Sequence, residues 1–250
     1  MNKLDYWFLD VALEMPIGIN SIVPDRQGFL DVNRKPLNIS LMEMAEILDN
    51  LFKQEYLGAS KPYGIPGGSS PGKIVNFIPS KEEVLQGLQM GMTPEIIEDG
   101  DEVIEIYDNL FNFFLTLEGG LLWESVSNPQ WDKFFLRFTD FDEGETTIQC
   151  CNRDIIGEIL TIEHLLDHGG LHIKPELGSE KYELINCWHP VYWKNIPSAY
   201  QLFYKFTYSE LDENLKDLDN SPDFIARRKQ ARDWYKNVCN NWYINYFKTH

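Results

Sequence analysis

Basic residues are scarce in this sequence. It holds 22 Lys and Arg against 39 Asp and Glu, a formal net charge of -17. So acidic a chain repels phosphate backbones and anionic lipid surfaces, which argues against a general nucleic-acid or membrane-surface binder. Cysteine is scarce too: Cys150, Cys151, Cys187 and Cys239 are the four in 250 residues. That density is far below a disulfide scaffold, so four free thiols are expected, mostly buried as small apolar residues. No stretch approaches the ~18 uninterrupted apolar residues of a spanning helix. The apolar residues near the start are broken by Asp5, Asp10 and Glu14, which removes the apolar core of a signal peptide. A cytoplasmic protein is expected. No internal repeat is visible at a period of 20–50 residues.

What is present is a core. Hydrophobic residues make up 43% and aromatics 14%, which excludes disorder of the chain as a whole. At this length one large domain or two small ones are expected, with roughly three-quarters of the unfolded surface buried. Asn128-Pro129 marks a candidate boundary between an acidic, mainly helical domain (1–128) and an α+β domain (129–250). One continuous core is the alternative. The first half holds 8 basic and 20 acidic residues, the second 14 and 19.

Local signals set the expected elements. Apolar residues at helical spacing predict a helix over 4–15, ended by Pro16. Ser40 and Glu43, and again Ser80 and Glu83, form capping boxes that open helices over 41–53 and 81–89. Between them, the Gly-, Ser- and Pro-rich residues 58–73 read as a loop, followed by a short strand at 74–78. A further helix is expected from about Asp101, and another after Thr116. Beyond the boundary, Asp142-Glu143-Gly144 predicts a hairpin between 133–141 and 146–151. A helix over 153–168 and a second hairpin around Gly178-Ser179 follow. Ser221-Pro222 opens a long final helix to about Phe247. The fold class is therefore α+β.

Five patterns could carry function. Gly67, Gly72 and Lys73 imitate a phosphate loop, but Ile74 stands where a magnesium-binding hydroxyl belongs and Pro71 removes an amide donor. A flexible loop is the simpler reading. His164, His168 and His172 lie within nine residues, and His164 and His168 are spaced i, i+4. On one helix such a pair can chelate zinc, with Asp167 nearby. Leu165, however, occupies the position where a zinc protease carries its general base. The apolar face set by Ile155, Ile159, Ile162 and Leu166 turns both histidines toward solvent. Cys187 and His189 could form a nucleophile–base pair, although a buried structural cysteine is the plainer expectation.

The fourth pattern is the acidic stretch 95–108. Glu95, Glu98, Asp99, Asp101, Glu102, Glu105 and Asp108 occur there with no Lys or Arg. It is either a solvated face or a docking face for a basic partner. The fifth is Leu115-Thr116 followed by Glu118, Gly119, Gly120, Trp123 and Glu124. With the capped helix 41–53 and the residues after it, this segment resembles winged-helix domains, in which a strand ending Leu-Thr-x-x-Gly turns into a helix. The resemblance covers about 80 residues and implies a module for DNA or protein recognition. Helix 41–53 carries Lys53 as its one basic residue, so a protein target suits it better. Packing of small residues around Trp123 explains the glycines without any ligand.

No complete catalytic constellation emerges. The reading that follows is a non-catalytic interaction protein, of the inhibitor or immunity type, that binds a basic protein. Two alternatives stand beside it. One is a metal-dependent enzyme using the histidine cluster, with zinc as its cofactor. The other is a winged-helix-type transcriptional regulator that reaches DNA through Arg227, Arg228, Lys229, Arg232 and Lys236 of the final helix.

Overall fold

The computed structural model describes residues 1–24, 35–63, 73–90, 95–99, 102–106, 110–166, 168, 171–210 and 221–244. Helices and antiparallel sheets alternate along the chain, giving an α+β protein. The chain divides into two compact units. One contains Met1–Val126 and takes back Val191–Trp193; the other contains Ser127–Pro190 and, among the described residues, 194–244.

Among the described residues the α-helices of the first unit are α1 (Lys3–Val11), α2 (Leu41–Lys53), α3 (Lys81–Gln89) and α4 (Leu117–Ser127). Both expected capping boxes form. The Ser40 and Ser80 hydroxyls accept from the amides of Glu43 and Glu83, whose carboxylates accept in return from the serine amides at 2.8 Å. Asn2 and Asp5 cap α1 in the same way. Helix α2 buries Met44, Ala45, Leu48, Leu51 and Phe52, the apolar stripe its spacing prescribes.

The half expected to be mainly helical also holds a four-stranded antiparallel sheet. Its strands are β1 (Ile17–Gly18), β2 (Leu57–Tyr63), β3 (Lys73–Phe77) and β6 (Asn112–Leu115), in the order β1-β6-β2-β3. The loop expected over 58–73 is thus a strand at its near end. β2 is held from both sides, with Ala59 opposite both Phe113 and Phe77. Two neighbours supply hydrogen bonds that outweigh the poor intrinsic strand preference of Gly58 and Pro62. Gly67 and Gly72 of the phosphate-loop pattern lie outside the described residues, and Lys73 opens β3.

The acidic stretch is also β rather than helical. Glu95–Asp99 (β4) and Glu102–Ile106 (β5) form a two-stranded antiparallel ribbon with Asp99 opposite Glu102. Ile96, Ile97, Val103, Ile104 and Ile106 are β-branched, and the connection passes through Gly100, both of which favour a hairpin over a helix.

In the second unit β7 (Leu136–Asp140) and β8 (Glu145–Cys150) form the expected hairpin, with Gly144 at φ +65° in the turn. The centre of this unit is a strand that no local signal isolated, β11 (Ile196–Glu210). It pairs with β8, with β9 (Leu171–Pro175) and with β10 (Lys181–Trp188). β9 and β10 therefore do not form a hairpin with each other; each lies along a different part of β11. Ile148, Ile156, Ile159, Ile173, Leu202, Tyr204 and Phe206 close the core between this sheet and α5.

Helix α5 (Arg153–Ile162) stops six residues before its expected end and tightens into a 3₁₀ turn, Glu163–Leu165. Helix α6 (Pro222–Asn240) packs on that turn through Ala231, against Leu165 and Leu166. No helix among the described residues is long and apolar enough to cross a membrane.

Candidate functional site

The histidine cluster is taken apart by the end of α5. Because 163–165 is a 3₁₀ turn and Leu166 is extended, His164 and His168 no longer share a helix face. The expectation that both point to solvent fails for His168, whose side chain is 13% exposed. It turns inward to Glu163, a fully buried carboxylate. His172 sits on β9 opposite Ser209, its side chain outside the described set, as is Asp167. Among the described residues no group of three His, Cys, Asp or Glu is placed to hold a metal ion.

What replaces the metal site is a buried ionic cluster. Arg137 on β7 donates from Nη2 to Glu163 Oε1 at 2.5 Å, and from Nε to the Thr139 hydroxyl at 3.1 Å. His168 Nε2 lies 3.0 Å from the same Oε1, but off the direction a hydrogen bond needs. Burial is the largest single influence on Arg137 and works against its charge, but Glu163 together with the Tyr204 and Tyr235 phenols raises the guanidinium above its ordinary pKa. Burial, then Glu163, push the Tyr204 phenol upward. Glu163 Oε2, His168 Nε2 and Tyr204 Oη are the buried side-chain atoms without a hydrogen-bond partner among the described residues, and all three belong to this cluster. A cavity of about 270 Å³ adjoins it, lined by Leu166, His168, Arg232, Tyr235 and Lys236. The cluster ties β7 to the 3₁₀ turn through one carboxylate, with His168 and the Tyr204 phenol of β11 beside it. Neither Glu163 nor Arg137 is identifiable from sequence pattern, since a buried ion pair between residues 26 apart leaves no periodic trace.

The glycine pair is accounted for by packing in the first unit. A Cβ on Gly119 would fall on the carbonyl of Tyr56, and one on Gly120 on the ring of Trp193. Trp123 is fully buried and donates its indole N–H to Asp10 Oδ1 at 3.0 Å. Thr116 caps α4, its hydroxyl accepting from the Gly119 amide at 3.0 Å. Glu124 is half-buried on the same helix. Trp193 and Tyr192 anchor the returning segment, donating to Leu13 O at 2.9 Å and Ala12 O at 2.7 Å. Burial raises the Tyr192 phenol above the ordinary value.

Of the acidic set, Glu95, Glu98, Asp99, Glu102 and Glu105 fall on the β4–β5 ribbon, while Asp101 lies outside the described residues. Among the described residues the ribbon pairs with no other strand. Cys187 is exposed, not buried as expected, and its sulfur meets His189 Nε2 at 3.6 Å. Asn195, unmarked by any sequence signal, presents Oδ1 to the same sulfur at 3.3 Å.

The chain matches no protein family, no curated protein and no solved structure.

Proposed function

We propose that this protein is a non-catalytic interaction protein that docks a basic protein partner through the β4–β5 ribbon. The observation that carries the reading is a strand pair dense in carboxylates, devoid of Lys and Arg, and paired only with itself among the described residues. Charge on open-edged strands guards against pairing between copies. The same charge raises encounter rates with a cationic surface and fixes its orientation. The net charge of -17 extends that attraction beyond the ribbon.

The test starts with a partner captured from source lysate and then purified. Its affinity is measured at low and moderate salt, for the wild type and for a variant with Glu95, Glu98, Glu102 and Glu105 changed to Gln and Asp99 and Asp101 to Asn. Exposed pairs contribute about 0.2–1 kcal/mol each, so the variant should bind at least about tenfold more weakly and with a flatter salt dependence. Equal binding by the variant, or an affinity indifferent to salt, overturns the reading.

A further inference from the structure

The ladder between β10 and β11 is interrupted near one end. Asn186 faces Ser198 and Trp188 faces Ile196, but Cys187 has no register partner. The residue between Ser198 and Ile196 is Pro197, which has no N–H to give. Cys187 takes φ +64° there, a left-handed conformation that side chains other than Gly, Asn and Asp seldom adopt. The consequence is an exposed thiol beside an exposed imidazole, with Cys187 Sγ between His189 Nε2 at 3.6 Å and Asn195 Oδ1 at 3.3 Å. The two ends of an amide are interchangeable at such a site, so rotation of Asn195 offers N–H to a thiolate.

Charge in the sequence points the same way. No Asp or Glu occurs between Glu183 and Glu210, while Lys194 and Lys205 do. In a chain this acidic, a thiolate there has no carboxylate among its near neighbours in sequence. The other three thiols are worse placed. Cys150 is buried, and the neighbouring Cys151 thiol and burial push its pKa up. Cys151 is lowered by the Cys150 thiol, but it is only half-exposed and its sulfur donates to Trp131 O at 3.3 Å. Cys239 is also exposed, but desolvation where its sulfur lies beside Tyr235 raises that thiol.

We propose that Cys187 is a modification site for small disulfides, with His189 as its base. The Cys187 proton passes to His189 Nε2, and the sulfur attacks one sulfur of the disulfide R–S–S–R. The S–S bond breaks, a new Cys187–S–SR bond forms, and the departing RS⁻ takes the proton from the imidazolium and leaves as RSH. The disulfide is the oxidant, so no further reagent is required.

The experiment treats the whole folded chain with glutathione disulfide and follows adducts by peptide mass mapping. The first adduct should be on Cys187, and Cys187→Ser should remove it. His189→Ala should slow the reaction on the order of tenfold at pH 7, less than the general range for base catalysis because thiols are already a few per cent ionised. At pH 10, where ordinary thiols ionise unaided, the two rates should converge. His189→Asn, which keeps a polar side chain of similar size, should behave as the alanine variant does. A first adduct on Cys151 or Cys239 overturns the proposal, as does a His189 variant that matches the wild type at pH 7.

Discussion

Replacing Arg137 with methionine strands Glu163. The carboxylate is fully buried, Oε1 loses the guanidinium at 2.5 Å, and Oε2 has no partner to begin with. Breaking a buried pair from one side costs about 3–5 kcal/mol, because the remaining charge cannot reach water. His168 stays 3.0 Å from Oε1 and can turn its imidazole toward the freed oxygen, so this variant should fall at the low end. Glu163→Leu leaves Arg137 with Thr139 and the phenol of Tyr235 nearby but no carboxylate, and should fall at the high end. The double variant removes both charges. Apolar replacement of a whole buried pair is often neutral, so its cost should lie well below the sum of the two singles. A coupling of at least about 2 kcal/mol is expected, within the range for residues in one network. Against a typical total of 5–15 kcal/mol, either single change is large. Urea unfolding supplies the free energies. Amide exchange of β8 and β11 reports the second unit separately, which matters because a chain of two units need not unfold in one step. Single costs below about 1 kcal/mol, or costs that simply add, would refute the claim that this pair is a buried, coupled one.

Three further outcomes can be measured. Gly120→Ala should destabilise the first unit by about 1–3 kcal/mol through overpacking against Trp193, whereas Gly157→Ala, with open space around its Cβ, should be neutral or stabilising; thermal melts compare them. The carboxylates of Glu43 and Glu83 have depressed pKa values because serine backbone and side-chain groups donate to them. Their contribution is complete above the unfolded value of 4.5 and is lost as pH falls through the lower folded value, so far-UV circular dichroism should show wild-type helix weakening below about pH 4.5 more steeply than in the Glu43→Gln/Glu83→Gln variant, which caps without titrating. Trp123→Phe should cost about 1–3 kcal/mol by withdrawing the indole donor from buried Asp10.

Short-range signals in the sequence are reliable here, and long-range ones are invisible. Ser40 with Glu43 and Ser80 with Glu83 announce two helices because a capping box is complete within four residues. Asp142-Glu143-Gly144 announces a hairpin for the same reason. The ribbon at 95–106 is the exception: helical spacing from Asp101 predicts a helix there, and the turn residues Asp99-Gly100-Asp101 between β-branched runs are the local signal that this reading passes over. β11 alternates from Leu202 through Tyr204 and Phe206, all buried, with Lys205 exposed between them. Its aromatic density nevertheless reads equally as core or as interface, and Pro197 argues against a strand.

The end of α5 lies beyond any local reading. Ile155, Ile159, Ile162 and Leu166 continue a helical stripe past Ile162, yet the chain tightens at Glu163. The Glu163 carboxylate meets Arg137, on a strand 26 residues earlier, and the 3₁₀ turn brings His168 within 3.0 Å of it. Continued as an α-helix, the same residues would carry His168 round to solvent, as the wheel predicts, and away from the Glu163 carboxylate. The apolar stripe therefore runs on past the point where the α-helix stops, and the i, i+4 spacing of His164 and His168 does not put the two imidazoles on one helix face.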